Sequence, residues 1–324
     1  MGSEMCIRDS DRAVAGRCPR SVERCLAGRF SIRLMPNVYM PALAPLAPLD
    51  TAPLFPDLHA ELLALLRALN PADWERPTVA GAWCVRDVAA HLLDGELRVL
   101  AAHRDGHAPP VEGPVATYDE IVALIQRLNA GGVAFGTRLS PRLLTDLLEV
   151  TGRWMSAFVA SLDPDAPALF AVAWAGEAQS DNRFDTAREY TERWHHQMQI
   201  RSAVGERGQP AVLLAPKYLV PLLETSVRVL PHAYRAVSAA EGTTVTLGLT
   251  SDPPRAWTLS REGASWRLYS GEAAQPTARV MAESDALWRL FFNALPVGDA
   301  GQALAVDGPQ ELITPLFHAR SVMV

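Results

Sequence analysis

Between residues 58 and 204 the chain repeatedly places apolar residues at helical spacing, in segments too short for a single rod. Leu58, Leu62, Leu65, Leu66 and Leu69 form the first stripe, and Asn70-Pro71 ends it because a residue before proline is pushed out of the helical region. Val88, Leu92, Leu93 and Leu97 face inward on a second helix running from Val85 to about His103. Ile121, Leu124, Ile125 and Leu128 make a shorter one. Leu143, Leu144, Leu147, Val150, Trp154 and Phe158 make the next, opened by Ser140-Pro141, an N-cap residue followed by the helical position that tolerates proline. A last helix is expected from Asp185 to about Val204, closed by Gly205. Four main amphipathic helices with long connections predict a four-helix bundle.

After Pro210 the pattern changes. Tyr218 to Ala236 reads as one more helix, broken by Pro221 and Pro231. Thr243, Val245, Leu247 and Leu249, then Trp257 and Leu259, then Trp266 and Leu268 alternate at period two, with a hairpin-like turn at 261–265. Ser284 is placed as the cap of a helix holding Leu287, Trp288, Leu290 and Phe291, and the chain closes with a short strand and a final helix. The fold class is therefore a two-domain α+β protein, with a bundle over 55–208 and a small α+β unit over 211–324. At about 150 residues per domain, 324 residues suit that division.

Residues 1–39 show neither helical nor strand period, and their opening MGSEMCIRDS has the look of a translated cloning linker. They are set aside as a non-native or disordered leader, with Met35 or Met40 as candidate natural starts. Residues 40–54 form a proline-rich lead-in, within a stretch from Pro36 to Pro56 that holds six prolines, and are expected to stay out of any core. No apolar run is long enough for a signal-peptide core or a membrane span.

Thirty basic against 36 acidic side chains give a net charge of −6, a poor basis for coating nucleic acid or an anionic membrane. Cys6, Cys18 and Cys25 lie in the leader and leave Cys84 alone in the rest. No Cys-x-x-Cys pair exists, so thiolate zinc sites and redox motifs are excluded, and the reducing cytoplasm is the expected compartment. Nucleophile-elbow, dinucleotide and phosphate-loop patterns are also missing. Any metal chemistry must come from histidine and carboxylate.

One stretch meets that requirement. Glu192 and His196, four apart on the last bundle helix, project from one face and can reach a common ion. His91, an imidazole among apolar positions of the second helix, is the candidate third ligand, since a buried imidazole is costly unless paired or ligated. Two histidines and a carboxylate suit zinc or another divalent transition metal, with a position left for water or substrate. His195, three from Glu192, competes with His196 but points about 100° away from it, which places His196 first. Asp87, one turn before His91, either orients the second nitrogen of His91 or stabilises the helix N-terminus as an acid. Cys84 lies about 10 Å from His91 along the axis, too far to share an ion, and reads as a small core residue. His59, His103, His107, His232 and His318 have no partner at ligand spacing and are placed at the surface or at caps. A Glu-x3-His pair is also the pattern of a plain ion pair, and a lone histidine that of a hydrogen-bonded core residue.

Two motifs carry a resemblance. Ala72-Asp73-Trp74-Glu75-Arg76-Pro77-Thr78 followed by Gly81-Ala82-Trp83-Cys84-Val85-Arg86-Asp87-Val88-Ala89-Ala90-His91-Leu92 resembles the first ligand motif of the mycothiol-dependent maleylpyruvate isomerase family, within the DinB-like superfamily. Glu192-Arg193-Trp194-His195-His196-Gln197-Met198-Gln199-Ile200-Arg201-Ser202-Ala203-Val204-Gly205 is similar to its second. Ala256-Trp257-Thr258-Leu259 and Trp266-Arg267-Leu268 resemble the sterol-carrier-like domain that follows the bundle in these proteins. The resemblance implies that His91, Glu192 and His196 hold a divalent metal, typically Zn2+, and that mycothiol or another low-molecular-weight thiol is the cosubstrate. Gln199 departs from the Asp often found there, which bears on the particular reaction and not on the metal site. The implied function is a metal- and thiol-dependent isomerase or transferase acting on a small, electrophilic, anionic substrate. The alternative is a non-catalytic metal- or small-ligand-binding protein on the same scaffold. Partners are a small-molecule substrate and a thiol, with neither nucleic acid nor membrane.

Overall fold

The computed structural model describes residues 43–322, apart from 111, 112, 114, 116 and 251–253. The leader over 1–39 lies outside the described residues. Five helices build the first unit: α1 (Phe55–Ala68), α2 (Val85–Val99), α3 (Tyr118–Gly136), α4 (Pro141–Ser161) and α5 (Asn182–Ala203). Local chemistry sets their starts. Ser140 Oγ accepts the Leu143 N–H at the head of α4 with Pro141 in the first turn, as the sequence predicts. Thr117 and Glu120 form a reciprocal capping box on α3, and Asp181 accepts the Phe184 N–H on α5. A π-helical turn, Leu100–Arg104, prolongs α2 toward His103.

Several expectations are corrected. α3 runs for 19 residues, through Gly131 and Gly132, and is not a short helix. Leu97 is exposed at 41%, and so are Leu143 and Trp154 on α4, because each falls on the outer edge of its helix. α5 is not amphipathic in the usual sense: 17 of its residues, including Asp185, Arg188, Glu189, Glu192, His195 and His196, are buried. It runs through the centre and packs against α2, α1 and the second unit.

The second unit holds the short helices α6 (Ala211–Leu214), α7 (Pro216–Ser226), α8 (Leu230–Ala233), α9 (Ser284–Phe291), α10 (Val297–Ala303) and α11 (Gln310–Phe317). Pro221 sits in the middle of α7 without ending it. Glu283, not Ser284, occupies the cap position of α9. The strands are β1 (Ala44–Pro45), β2 (Thr244–Leu249), β3 (Ala256–Glu262), β4 (Ser265–Ser270), β5 (Ala278–Ala282) and β6 (Leu304–Asp307), in the order β1-β4-β3-β2-β5-β6. β3 and β4 form the expected hairpin, turning at Gly263 with φ 58°. β5 runs parallel to β2, which makes the sheet mixed.

The lead-in does not stay outside. Ala44 and Pro45 pair with Ser270 and Tyr269 as an edge strand, and Leu49 is buried at 6%. Proline suits an edge, where its missing N–H faces away from the ladder. Arg228 Nη2 and Arg183 Nη1 donate to the carbonyls of Ala47 and Leu49, at 2.8 and 3.3 Å. A cavity of about 980 Å³ opens beside this strap, lined in part by Glu177, Arg183, Arg228 and Trp266.

One apolar cluster joins the two units. It runs from Phe55, Tyr190 and Trp194 through Leu219 and Leu223 to Trp257, Trp288 and Phe291. Trp194 meets Trp288 edge-on at 5.1 Å, and its indole donates to Leu213 O at 3.1 Å. Among the described residues no helix is long and apolar enough to cross a membrane.

Candidate metal centre

His91 projects from the middle of α2 toward α5. The helix is registered by a cap at its start, where Asp87 Oδ2 accepts from the Cys84 backbone N–H at 3.1 Å and from Cys84 Sγ at 3.2 Å. Asp87 therefore fills the second of the two roles weighed for it, the acid at the helix N-terminus. Cys84 is half-buried and serves the same cap, with burial pushing its thiol up. One turn of loop earlier, Trp83 lays its ring against His91 with centroids 5.0 Å apart.

Glu192 and His196 leave α5 from one face, as their spacing predicts. His196 Nε2 lies 3.1 Å from His91 Nε2 and 3.3 Å from Glu192 Oε2. His91, Glu192 and His196 are each exposed at 1% or less, and one ligand atom from each falls within 4.8 Å of the others. No other such group of ligating side chains occurs among the described residues. At metal–ligand distances of 2.0–2.1 Å, tetrahedral donors sit roughly 3.3 Å apart. Two of the observed separations match that edge.

The donor set fits a cation on electrostatic grounds too. Apart from His196 Nε2 at 3.3 Å, the buried carboxylate of Glu192 has no hydrogen-bonding neighbour, an expensive condition for a buried carboxylate. Burial pushes its carboxyl above the usual range, against the pull of His196 and Arg188. A divalent ion between the three side chains would satisfy the carboxylate and separate the two facing imidazole nitrogens. Three protein donors leave a position open for a fourth ligand.

Two further residues adjoin the group, His195, weighed in the sequence as a competing ligand, and Gln199, noted there as a departure from the family's Asp. Gln199 Oε1 lies 2.9 Å from His196 Nδ1, and its Nε2 lies 3.1 Å from His195 Nε2. The i+3 and i+4 spacings carry this signal, but an amide at such a position has too many ordinary uses to stand out. His195, turned away from the ligand group, packs its ring on Phe292, which follows α9, with centroids 4.8 Å apart. Burial holds its imidazole well below the usual histidine range, so it is neutral.

A second polar cluster is buried in the same bundle. Arg188 bridges Asp185 and Glu189, Arg193 bridges Glu189 and Glu96, and Thr151 donates to Glu96 at 2.5 Å. His59 Nδ1 and His103 Nδ1 reach Glu96 and Asp185 at 4.0 Å, with side chains only 9% and 10% exposed. These two histidines are not surface residues, because each turns into this charged ladder.

Residues 55–201 match the protein-family model described as the mycothiol maleylpyruvate isomerase N-terminal domain. That match covers the bundle, 147 of the chain's 324 residues, and is a similarity of this region. The match includes the first motif, the second as far as Arg201, and all three candidate ligands. No curated protein matches the sequence. Among solved structures, the chain is similar to a mycothiol-dependent maleylpyruvate isomerase, with 14% identity, a TM-score of 0.45, and coverage of 80% of this chain and 93% of that one. A histidine-to-alanine mutant of a mycothiol-dependent maleylpyruvate isomerase is similar at 13% identity and a TM-score of 0.43, with the same coverages.

Proposed function

We propose that the chain is a metal-dependent enzyme that uses a mycothiol-type thiol to isomerise, or to transfer that thiol to, a small electrophilic and anionic substrate such as maleylpyruvate. The observation that carries this reading is the donor geometry of His91, Glu192 and His196, with a buried carboxylate whose one polar neighbour is His196 Nε2 at 3.3 Å. The match of the bundle to the mycothiol maleylpyruvate isomerase N-terminal domain supports the thiol and the substrate class. His91, Glu192 and His196 would hold the ion, Zn2+ being the best match to two imidazoles and one carboxylate.

A divalent ion bound there supplies Lewis acidity that lowers the pKa of a coordinated thiol to near neutrality. The protein's own residues do the rest. The two imidazoles donate as neutral ligands, while Glu192 offsets one positive charge. Trp83 and Phe292 close apolar surfaces over His91 and His195 and exclude bulk water, which strengthens every charge interaction inside. In the reaction class, a thiolate adds to an activated double bond, the resulting single bond rotates, and expulsion of the thiolate restores the double bond with trans geometry. No protein nucleophile is needed, in accord with Cys84 being engaged in a helix cap. The cytoplasm, where small thiols stay reduced, is the matching compartment.

The deciding experiment is turnover of maleylpyruvate by metal-loaded protein with mycothiol present and absent, with His91→Ala as control. Turnover that needs both the thiol and His91 is expected. The near-complete burial of the three ligands favours the second reading, a closed metal- or ligand-binding protein. Bound metal without a thiol adduct on any electrophile of a panel would establish that reading instead.

A further inference from the structure

His196 can ligate through Nε2, the nitrogen facing His91 and Glu192, only if its ring proton sits on Nδ1. Gln199 faces that Nδ1 at 2.9 Å. An amide does not by itself select a tautomer, since either end can be turned to the ring. With the carbonyl toward His196, Nδ1–H donates and Nε2 keeps its lone pair for the centre. With the NH2 toward His196, Nδ1 must accept and Nε2–H points into the centre. A third group has to decide, and the structure supplies one. His195 Nε2 lies 3.1 Å from Gln199 Nε2, and as an acceptor it holds the NH2 end and leaves the carbonyl for His196. Phe292, exposed at 1%, seats the His195 ring from the second unit.

We propose that His195 and Gln199 are positioning residues acting in series. His195 fixes the amide, the amide fixes the tautomer of His196, and His196 thereby presents Nε2 to the ion. Neighbouring histidines on α5 thus have different tasks, one as ligand and one as the anchor of the ligand's hydrogen-bond partner. Phe292 extends the chain of contacts to the second unit, so that unit helps to register the centre without contributing a ligand. The proposal rests on the metal reading of His91, Glu192 and His196, but its first readout does not require a metal.

The test uses the full chain, 15N-labelled at histidine, with ring tautomers read from long-range 1H–15N correlations at fixed neutral pH. Metal-free wild type is expected to show His196 as the Nδ1–H and His195 as the Nδ1–H tautomer. Gln199→Glu keeps an acceptor for His196 and removes the donor to His195. It should leave His196 unchanged and switch His195 to Nε2–H. Gln199→Leu and His195→Leu should both give mixed tautomers at His196. Zinc affinity, measured by competition with a chromophoric chelator, should fall about 10- to 100-fold in Gln199→Leu, fall less in His195→Leu, and be restored by Gln199→Glu. A purely structural role would weaken all three variants alike and leave the tautomers in place. Wild-type His196 protonated at Nε2, or zinc affinity unchanged in Gln199→Leu, overturns the proposal. Wild type that takes up no zinc defeats the metal reading, and the tautomers of the metal-free protein then decide the positioning claim alone.

Discussion

Two polar clusters are buried in one bundle, overlapping along α5, and they are built in opposite ways. In the ladder of Asp185, Arg188, Glu189, Arg193 and Glu96, each acid meets an arginine and each bridge is made between side chains already present. In the group of His91, Glu192 and His196, the carboxylate has no arginine bridge and lies 3.3 Å from His196 Nε2, while two imidazole nitrogens face one another at 3.1 Å. The ladder pairs its acids with arginines already present, and the triad has no such partner. Burial of polar residues alone therefore does not mark a site. What marks it is a donor set whose geometry calls for a group that the protein does not supply.

If this difference is real, substitutions in the two clusters must fail in different ways. The largest effect is expected at the triad. His91→Ala or Glu192→Ala should reduce zinc affinity by more than the roughly 10- to 100-fold expected of an outer partner, seen by chelator competition, with little loss of fold. In the ladder, Glu189→Ala leaves two arginines under-compensated and should lower stability by about 3–5 kcal/mol in denaturant unfolding, while metal stoichiometry stays at the wild-type value. Destabilisation without loss of metal in the first set, or loss of metal without destabilisation in the second, would erase the distinction.

A smaller effect lies in the pH dependence of the ladder. Burial pushes the Glu96 carboxyl up to about 7, and burial holds the His59 imidazole down at about 4. The groups around them are Arg193, Thr151, Glu189, Glu149 and Arg153. Between its unfolded value near 4.5 and about 7, native Glu96 binds the extra proton, so its contribution weakens as pH rises. Between about 4 and 6.5 the unfolded state binds more protons at His59, so its contribution strengthens as pH rises. The two slopes oppose one another. His59→Gln should make the protein gain stability on acidification from 7 toward 4.5, and Glu96→Gln should make it lose stability from 6.5 toward 4, both by unfolding at a series of pH values. The smallest effect is expected at Cys84→Ser, within about 0.5 kcal/mol in stability and without change in bound metal, because its sulfur serves the cap of α2.

The sequence made the triad legible for a definite reason. Glu192 and His196 share a helix, so their spacing alone sets their relation, and His91 stands out as a lone imidazole between apolar neighbours. Helix starts were legible at Ser140 and at the turn before Val85, where capping is local chemistry. Long-range features were not. The pairing of Ala44 and Pro45 with β4 involves two residues without strand period, and the burial of Leu49 depends on arginines more than 130 positions away. The ladder was missed because charged residues on a helix usually mark its solvent face. On α5 that rule fails, since a surrounding set of helices and the second unit cover every side of it. His59 and His103 were misplaced for the same reason, as each finds its partner only in three dimensions.

The account stands most directly on metal stoichiometry. Full-length protein, stripped with chelator, reloaded with excess zinc and desalted at neutral pH, is predicted to retain one zinc per chain, and Glu192→Gln to retain none under the same conditions. Wild type without stoichiometric zinc, or Glu192→Gln with as much as wild type, would contradict it.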